Sequence, residues 1–119
     1  MGRSKSSEYT LTRSQLIKLA GFRGSPNTVA RYLSLQVLDS QPDGHRYKYS
    51  ERTVEELKLI PELRKYAFDQ KEMRQTFDKF KDLEELRKQV GKVPPDELYD
   101  FVERKGVKLD RRWFYSAGF

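Results

Sequence analysis

Apolar and polar positions along the chain group into short runs whose period switches from helical to extended and back. Leu11-Thr12-Arg13-Ser14-Gln15-Leu16 opens the first run. The Thr12 side chain can cap the Gln15 amide while Gln15 reaches back to Thr12, and Leu11 and Leu16 stand at staple positions. With Leu16, Ile17, Leu19 and Ala20 as a stripe and Gly21 as the stop, a helix is predicted over residues 13–20. After the turn Gly21-Phe22-Arg23-Gly24, Ser25-Pro26 supplies an N-cap followed by proline at the first helical position. On this second helix Val29, Ala30 and Leu33 share a face with Pro26, whereas Asn27, Thr28 and Arg31 point the other way. Two short capped helices joined by a Gly-containing turn form a helix-turn-helix.

The period then becomes two. Val37 to Ser40, the turn Gln41-Pro42-Asp43-Gly44, and His45 to Tyr49 predict a hairpin, with Arg46 and Lys48 on one face and His45, Tyr47 and Tyr49 on the other. Tyr47 and Tyr49 are expected to pack the hairpin on the core, and His45 to be structural. Ser50 caps a third helix carrying Val54, Leu57, Ile60 and Leu63, which Pro61 either kinks or, by ending it near Leu59, follows with a new turn. Asp69 and Glu72 predict a long helix from about residue 70 to 90, striped by Met73, Phe77, Phe80, Leu83, Leu86 and Val90 and ended by Gly91. Val93-Pro94-Pro95 is a hinge. Asp96 to Lys105 is a last short helix with Leu98, Phe101 and Val102 inward and Gly106 as its stop.

The chain therefore reads as mostly α with a short β-hairpin. Residues 1–9 are a flexible basic arm, 10–68 a winged helix-turn-helix, and 69–119 a helical extension ending in Arg111-Arg112-Trp113-Phe114-Tyr115-Ser116-Ala117-Gly118-Phe119. That tail either closes over the core or anchors a partner protein, since Trp, Tyr and Arg are enriched at interface hot spots. The stripe from 70 to 90 has the same two readings, core or dimer surface. Met73, Phe77, Phe80, Leu83, Trp113 and Phe114 are the candidate dimer or partner interface.

Composition narrows the picture. With 36% hydrophobic, 35% charged and 13% aromatic residues, the chain is expected to fold around one core. No apolar run approaches the roughly 20 residues that span a bilayer, and no leader-like segment opens the sequence, so a soluble cytoplasmic protein without a membrane role is expected. The chain has no cysteine and one histidine, which leaves no thiolate or histidine metal site, and no cofactor is expected. No nucleophile, base and orienting group can be assembled, and Gly21-Phe22-Arg23-Gly24 lacks the Gly-Lys-Ser/Thr of a phosphate loop, so an enzyme is not expected. The net charge of +6 is unevenly spread: residues 1–50 carry eight Lys/Arg against three Asp/Glu, whereas residues 51–119 carry sixteen against fifteen. The anion-facing part is N-terminal.

A helix-turn-helix with a basic hairpin points to double-stranded DNA. Asn27, Thr28 and Arg31 would reach base edges or nearby phosphates, and Arg13, Lys18, Arg23, Arg46 and Lys48 would hold phosphates. Leu16, Leu19 to Gly21, Ser25-Pro26-Asn27-Thr28, Arg31-Tyr32, Gly44, Arg46 and Tyr49-Ser50-Glu51, leading into Val54, Leu57 and Ile60, carry a resemblance to the MerR family over residues 10–68. That family typically reads Ser-Pro-Asp-Thr-Leu-Arg-Tyr-Tyr after the turn and Gly-Tyr-Arg-x-Tyr-Ser at the wing. Here the turn is longer by about two residues, Arg31 stands one place later, and the second strand has one residue more. The resemblance implies a minimal member without an effector domain, a homodimeric, nucleoid-associated transcriptional regulator. The alternatives are an architectural, excisionase-like recombination or segregation accessory protein, and an interaction adaptor that uses the C-terminal helices and aromatic tail.

Overall fold

The Thr12–Gln15 capping box opens helix α1 (Arg13–Ala20) in the computed structural model, which describes residues 9–110. The Thr12 hydroxyl accepts the Gln15 N–H at 3.2 Å, and Gln15 Oε1 accepts the Thr12 N–H at 2.9 Å. Gly21, at φ 62°, ends the helix in the left-handed region, where its N–H and that of Phe22 reach the Lys18 and Ile17 carbonyls. Helix α2 (Pro26–Ser34) begins where Ser25 Oγ accepts the Asn27 N–H at 3.1 Å. Its most buried residues are Val29 and Tyr32, with Ala30 and Leu33 only half-buried, so the inward stripe is turned toward Tyr32 from the one expected.

The hairpin is present, but its turn falls further along the chain. Strands β1 (Gln41–Asp43) and β2 (Arg46–Lys48) are antiparallel, pairing Gln41 with Lys48, Pro42 with Tyr47 and Asp43 with Arg46. The turn is therefore Gly44-His45, and the expected turn residues Gln41 to Asp43 are strand. Gly44 at φ 62° takes the first place of a two-residue loop, where glycine is demanded, and Pro42 is tolerated because each strand of a two-stranded ribbon is an edge. Val37 to Asp39, expected as strand, form instead a buried connection. One pairing has no counterpart in the expectations: Leu11 bridges Tyr49, with the Thr10 and Leu11 N–H groups donating to the Tyr49 carbonyl at 3.0 and 2.9 Å.

Helix α3 (Glu51–Lys65) runs through Pro61 without ending at Leu59, the proline removing only one backbone donor. Ser50 and Thr53 cap it reciprocally, Ser50 Oγ accepting the Thr53 N–H at 3.3 Å and Thr53 Oγ1 the Ser50 N–H at 3.2 Å. In place of one core, the chain divides into two compact units between Lys58 and Leu59, inside α3. The first unit buries Leu16, Val29, Tyr32, Val37, Leu38, Tyr49, Val54 and Leu57.

The second unit starts ten residues before the expected boundary because the end of α3 and the turn after it belong to its core. The Tyr66 hydroxyl donates to the Val93 carbonyl at 2.6 Å and accepts the Gly91 N–H at 3.0 Å, and Phe68 meets Tyr99 edge-on at 5.6 Å. Asp69 and Glu72 form the expected capping box on α4 (Gln70–Lys79). The single long helix does not form. Phe80 adopts an extended conformation, and Asp82 Oδ1 accepts the Glu84 N–H at 3.0 Å to start a new helix, α5 (Leu83–Arg87). An aspartate there favours capping over helix continuation. Met73, Phe77, Phe80 and Leu83 are buried within the second unit, with the Phe80 ring tilted against Phe101 at 5.5 Å between centroids, so they are core residues and not an offered interface. Helix α6 (Pro95–Glu103) buries Leu98, Tyr99 and Val102. Tyr99, unnoticed in the sequence, is more buried than Phe101. The tail with Trp113 and Phe114 lies outside the described residues. Among those residues no helix is long and apolar enough to cross a membrane.

The described architecture is thus mostly helical with one small antiparallel hairpin, compatible with a helix-turn-helix followed by a wing.

Candidate nucleic-acid interface

All eight candidate contact residues belong to the first unit. On α2 the Ser25 cap sets the first turn, from which Asn27 projects into solvent; Arg31, one turn on, is also exposed, and Thr28 is half-buried. Arg13 and Lys18 are exposed at the two ends of α1, and Arg23 is exposed in the turn between the helices. On β2, Arg46 is exposed and Lys48 half-buried. Strand alternation puts both on one face, and the register sets Asp43 beside Arg46 and Gln41 beside Lys48 on that face.

Arg13 lies close enough to the Tyr49 phenol for its charge to favour the ionised form. Burial pushes the Tyr49 pKa above its usual value, and Arg13 pulls weakly the other way. The Leu11–Tyr49 bridge fastens the start of α1 to the base of the hairpin.

The connection from α2 to the hairpin is held by a buried polar network centred on Asp39. Its Oδ2 accepts the Tyr9 hydroxyl at 2.7 Å, its carbonyl accepts the Thr53 hydroxyl at 2.9 Å, and its N–H donates to Glu56 Oε1 at 2.8 Å. Glu56, 0% exposed, is neutralised by Arg52, whose Nε lies 3.1 Å from Oε2. Such a cluster holds only if each member is satisfied, and a satisfied cluster specifies one geometry for the loop entering β1. Reading the sequence missed it, because Arg52–Glu56 looks like an ordinary exposed i,i+4 pair. A signal was available: Thr53, Glu56, Ile60 and Leu63 follow one another at helical spacing on one face of α3.

Ion pairs engage some of the cations from α3 onward, whereas Lys71, Arg74, Lys79, Lys88, Lys92 and Lys108 are in none among the described residues. The pairs Arg52–Glu56, Lys58–Glu55, Lys65–Glu62, Arg87–Glu84 and Lys105–Glu85 all fall in α3 or beyond. Among the described residues no ion pair engages Arg13, Lys18, Arg23, Arg31, Arg46 or Lys48. Unpaired, solvated cations on one small unit can neutralise a polyanion without first giving up an internal partner. Among the described residues no group of three or more His, Asp or Glu is placed to hold a metal ion.

No family model, curated protein or solved structure matches the chain.

Proposed function

We propose that the first unit is a MerR-like winged helix-turn-helix that binds double-stranded DNA, and that the protein is a transcriptional regulator. The observation that carries this reading is that Arg13, Lys18, Arg23, Arg31, Arg46 and Lys48, on the two helices, their turn and the hairpin, are in no ion pair among the described residues, within the stretch of chain that holds the excess of positive charge. In the proposed complex the exposed face of α2 enters the major groove. Asn27 and Arg31 have the side chains that pair bidentately with adenine and guanine there. Arg13, Lys18 and Arg23 hold phosphates beside the groove, and Arg46 and Lys48 follow the adjoining backbone from the wing. Reading a palindromic site takes two copies about one helical turn apart, and we propose a homodimer on DNA. Its surface is not the Met73 to Leu83 stripe, which is buried.

The test is fluorescence anisotropy with labelled duplexes across a salt series. Wild type is expected to lose affinity steeply as salt rises, and Arg46→Ala to flatten the logarithmic slope by about 0.9. Arg31→Ala is expected to relax preference at one base position by about 1–3 kcal/mol in a selection from randomised duplexes. Wild-type protein that binds no duplex at low salt sinks the proposal.

A further inference from the structure

We propose that Phe22 and Gly24 pinch the turn between α1 and α2 and so present Arg23 to a phosphate of the bound duplex, both acting as positioning residues for that contact. The inference rests on the DNA-binding reading above and deepens it by assigning the residues that aim one of its cations.

The two glycines of this turn answer different needs. Gly21 lies in the left-handed region at φ 62°, with open space where a Cβ would stand, so its need is conformational. Gly24 lies outside that region, and its need is room. A Cβ there would stand 2.6 Å from both Cε2 and Cζ of Phe22, closer than two carbons pack. The half-buried Phe22 ring therefore lays its edge along the side of the chain where a Gly24 side chain would be. Arg23, between the two, is left on the outside and is exposed.

Hydrogen bonds fix the chain on either side of this contact but not within it. The Gly21 and Phe22 N–H groups donate to the Lys18 and Ile17 carbonyls, and those of Asn27 and Thr28 donate to Ser25. Among the described residues no hydrogen bond engages the N–H groups of Arg23, Gly24 or Ser25. The ring on Gly24 is thus a contact inside the turn that restricts its path. A loop held in its bound conformation before association loses less entropy on binding, so this restriction strengthens a contact made by Arg23. No carboxylate competes for that guanidinium, since Arg23 is in no ion pair among the described residues. The crowding at Gly24 is against the outer edge of a ring and not against backbone, so an added methyl is expected to displace Phe22 and leave both helices in place.

The test uses the full chain, a labelled mixed-sequence duplex of about 30 base pairs, roughly three turns, and anisotropy across a salt series. Arg23→Ala is expected to flatten the logarithmic salt slope by about 0.9, the loss of one phosphate contact. Gly24→Ala removes no charge, yet it is expected to flatten the slope by most of that amount and to lower low-salt affinity about threefold, the range of an exposed charge contact. Phe22→Leu, which keeps an apolar side chain without the ring edge, is expected to do the same and covers the case of an unstable alanine variant. Adding Gly24→Ala to Arg23→Ala is expected to change neither slope nor affinity further, because the contact being aimed is already gone. A merely structural role gives another result: a partly unfolded population lowers apparent affinity equally at every salt concentration and keeps the wild-type slope. Wild-type slopes for Gly24→Ala and Phe22→Leu, while Arg23→Ala flattens, overturn this inference and leave the DNA-binding reading standing. A wild-type slope for Arg23→Ala also overturns it, there being no contact to aim. Wild type that binds no duplex removes the reading beneath it as well.

Discussion

Arg46 shows how one neighbour tunes a proposed contact. Its cross-strand partner is Asp43, so the carboxylate opposes any approaching phosphate. Asp43→Asn is expected to tighten duplex binding about two- to fivefold at low salt, the range of an exposed charge pair, and anisotropy with and without added salt checks it. Tyr49 makes a prediction about pH. Its pKa lies above the usual 10.0 because burial disfavours the phenolate. Below pH 10.0 the phenol is neutral in folded and unfolded chains alike, and its contribution to stability is fully present. As pH rises further the unfolded phenol ionises first, so that contribution is lost as pH passes through the folded value. Thermal unfolding of wild type is expected to fall more steeply than that of Tyr49→Phe between pH 9 and 11, taking these as roughly one unit on each side of an ordinary tyrosine pKa. Equal slopes would show that Tyr49 does not titrate as its burial requires.

At the scale of elements, the ends of helices are local and cheap, whereas the loop into the hairpin depends on one buried cluster. Thr12→Ala removes half of the capping box on α1 and is expected to cost about 0.5–2 kcal/mol in urea unfolding. Glu56→Ala is expected to cost more, about 3–5 kcal/mol, because it removes the buried carboxylate paired with Arg52 and leaves the buried Asp39 N–H without its 2.8 Å acceptor. Glu56→Gln retains an acceptor and is expected to fall between the two. The caps were legible in the sequence because both partners lie within three residues of each other. The network was not, since Tyr9 and Asp39 are 30 residues apart and Asp39 and Glu56 are 17 apart.

Over the whole molecule, the excess of positive charge lies in residues 1–50, and Arg31 and Arg46 there are in no ion pair among the described residues, whereas Arg87 and Lys105 are paired. If unpaired cations are what binds DNA, Arg87→Ala and Lys105→Ala are expected to leave duplex affinity unchanged. Their charges already face Glu84 and Glu85, and removing a cation together with its local field alters little at a distance in salt. Arg31→Ala and Arg46→Ala are expected to weaken binding under the same conditions. Anisotropy on the four variants side by side distinguishes a local binding face from a general effect of net charge. Equal weakening by all four would assign binding to the overall +6 charge. The uneven charge was visible in the sequence, but which cations are committed to carboxylates was visible only in three dimensions.

What the sequence determined by itself is the set of features made by neighbours in the chain. These are the boxes at Thr12 and Asp69, the left-handed stop at Gly21, the proline-led start of α2, the presence of a hairpin, and the clustering of positive charge in residues 1–50. Each is decided by groups a few residues apart, so its energy is already present in the local pattern. Tertiary structure decided where alternatives of similar local energy fall. The hairpin turn moved to Gly44-His45, where the left-handed glycine and the Leu11–Tyr49 bridge agree on one register. The helix expected over 70–90 broke at Phe80 and Asp82, because a buried ring and a capping carboxylate outweigh one more turn of helix. The two tyrosines of one strand face also parted there, Tyr49 into the core and Tyr47 into water. Alternation alone treats them as equivalent, and only the extent of the packed core tells them apart.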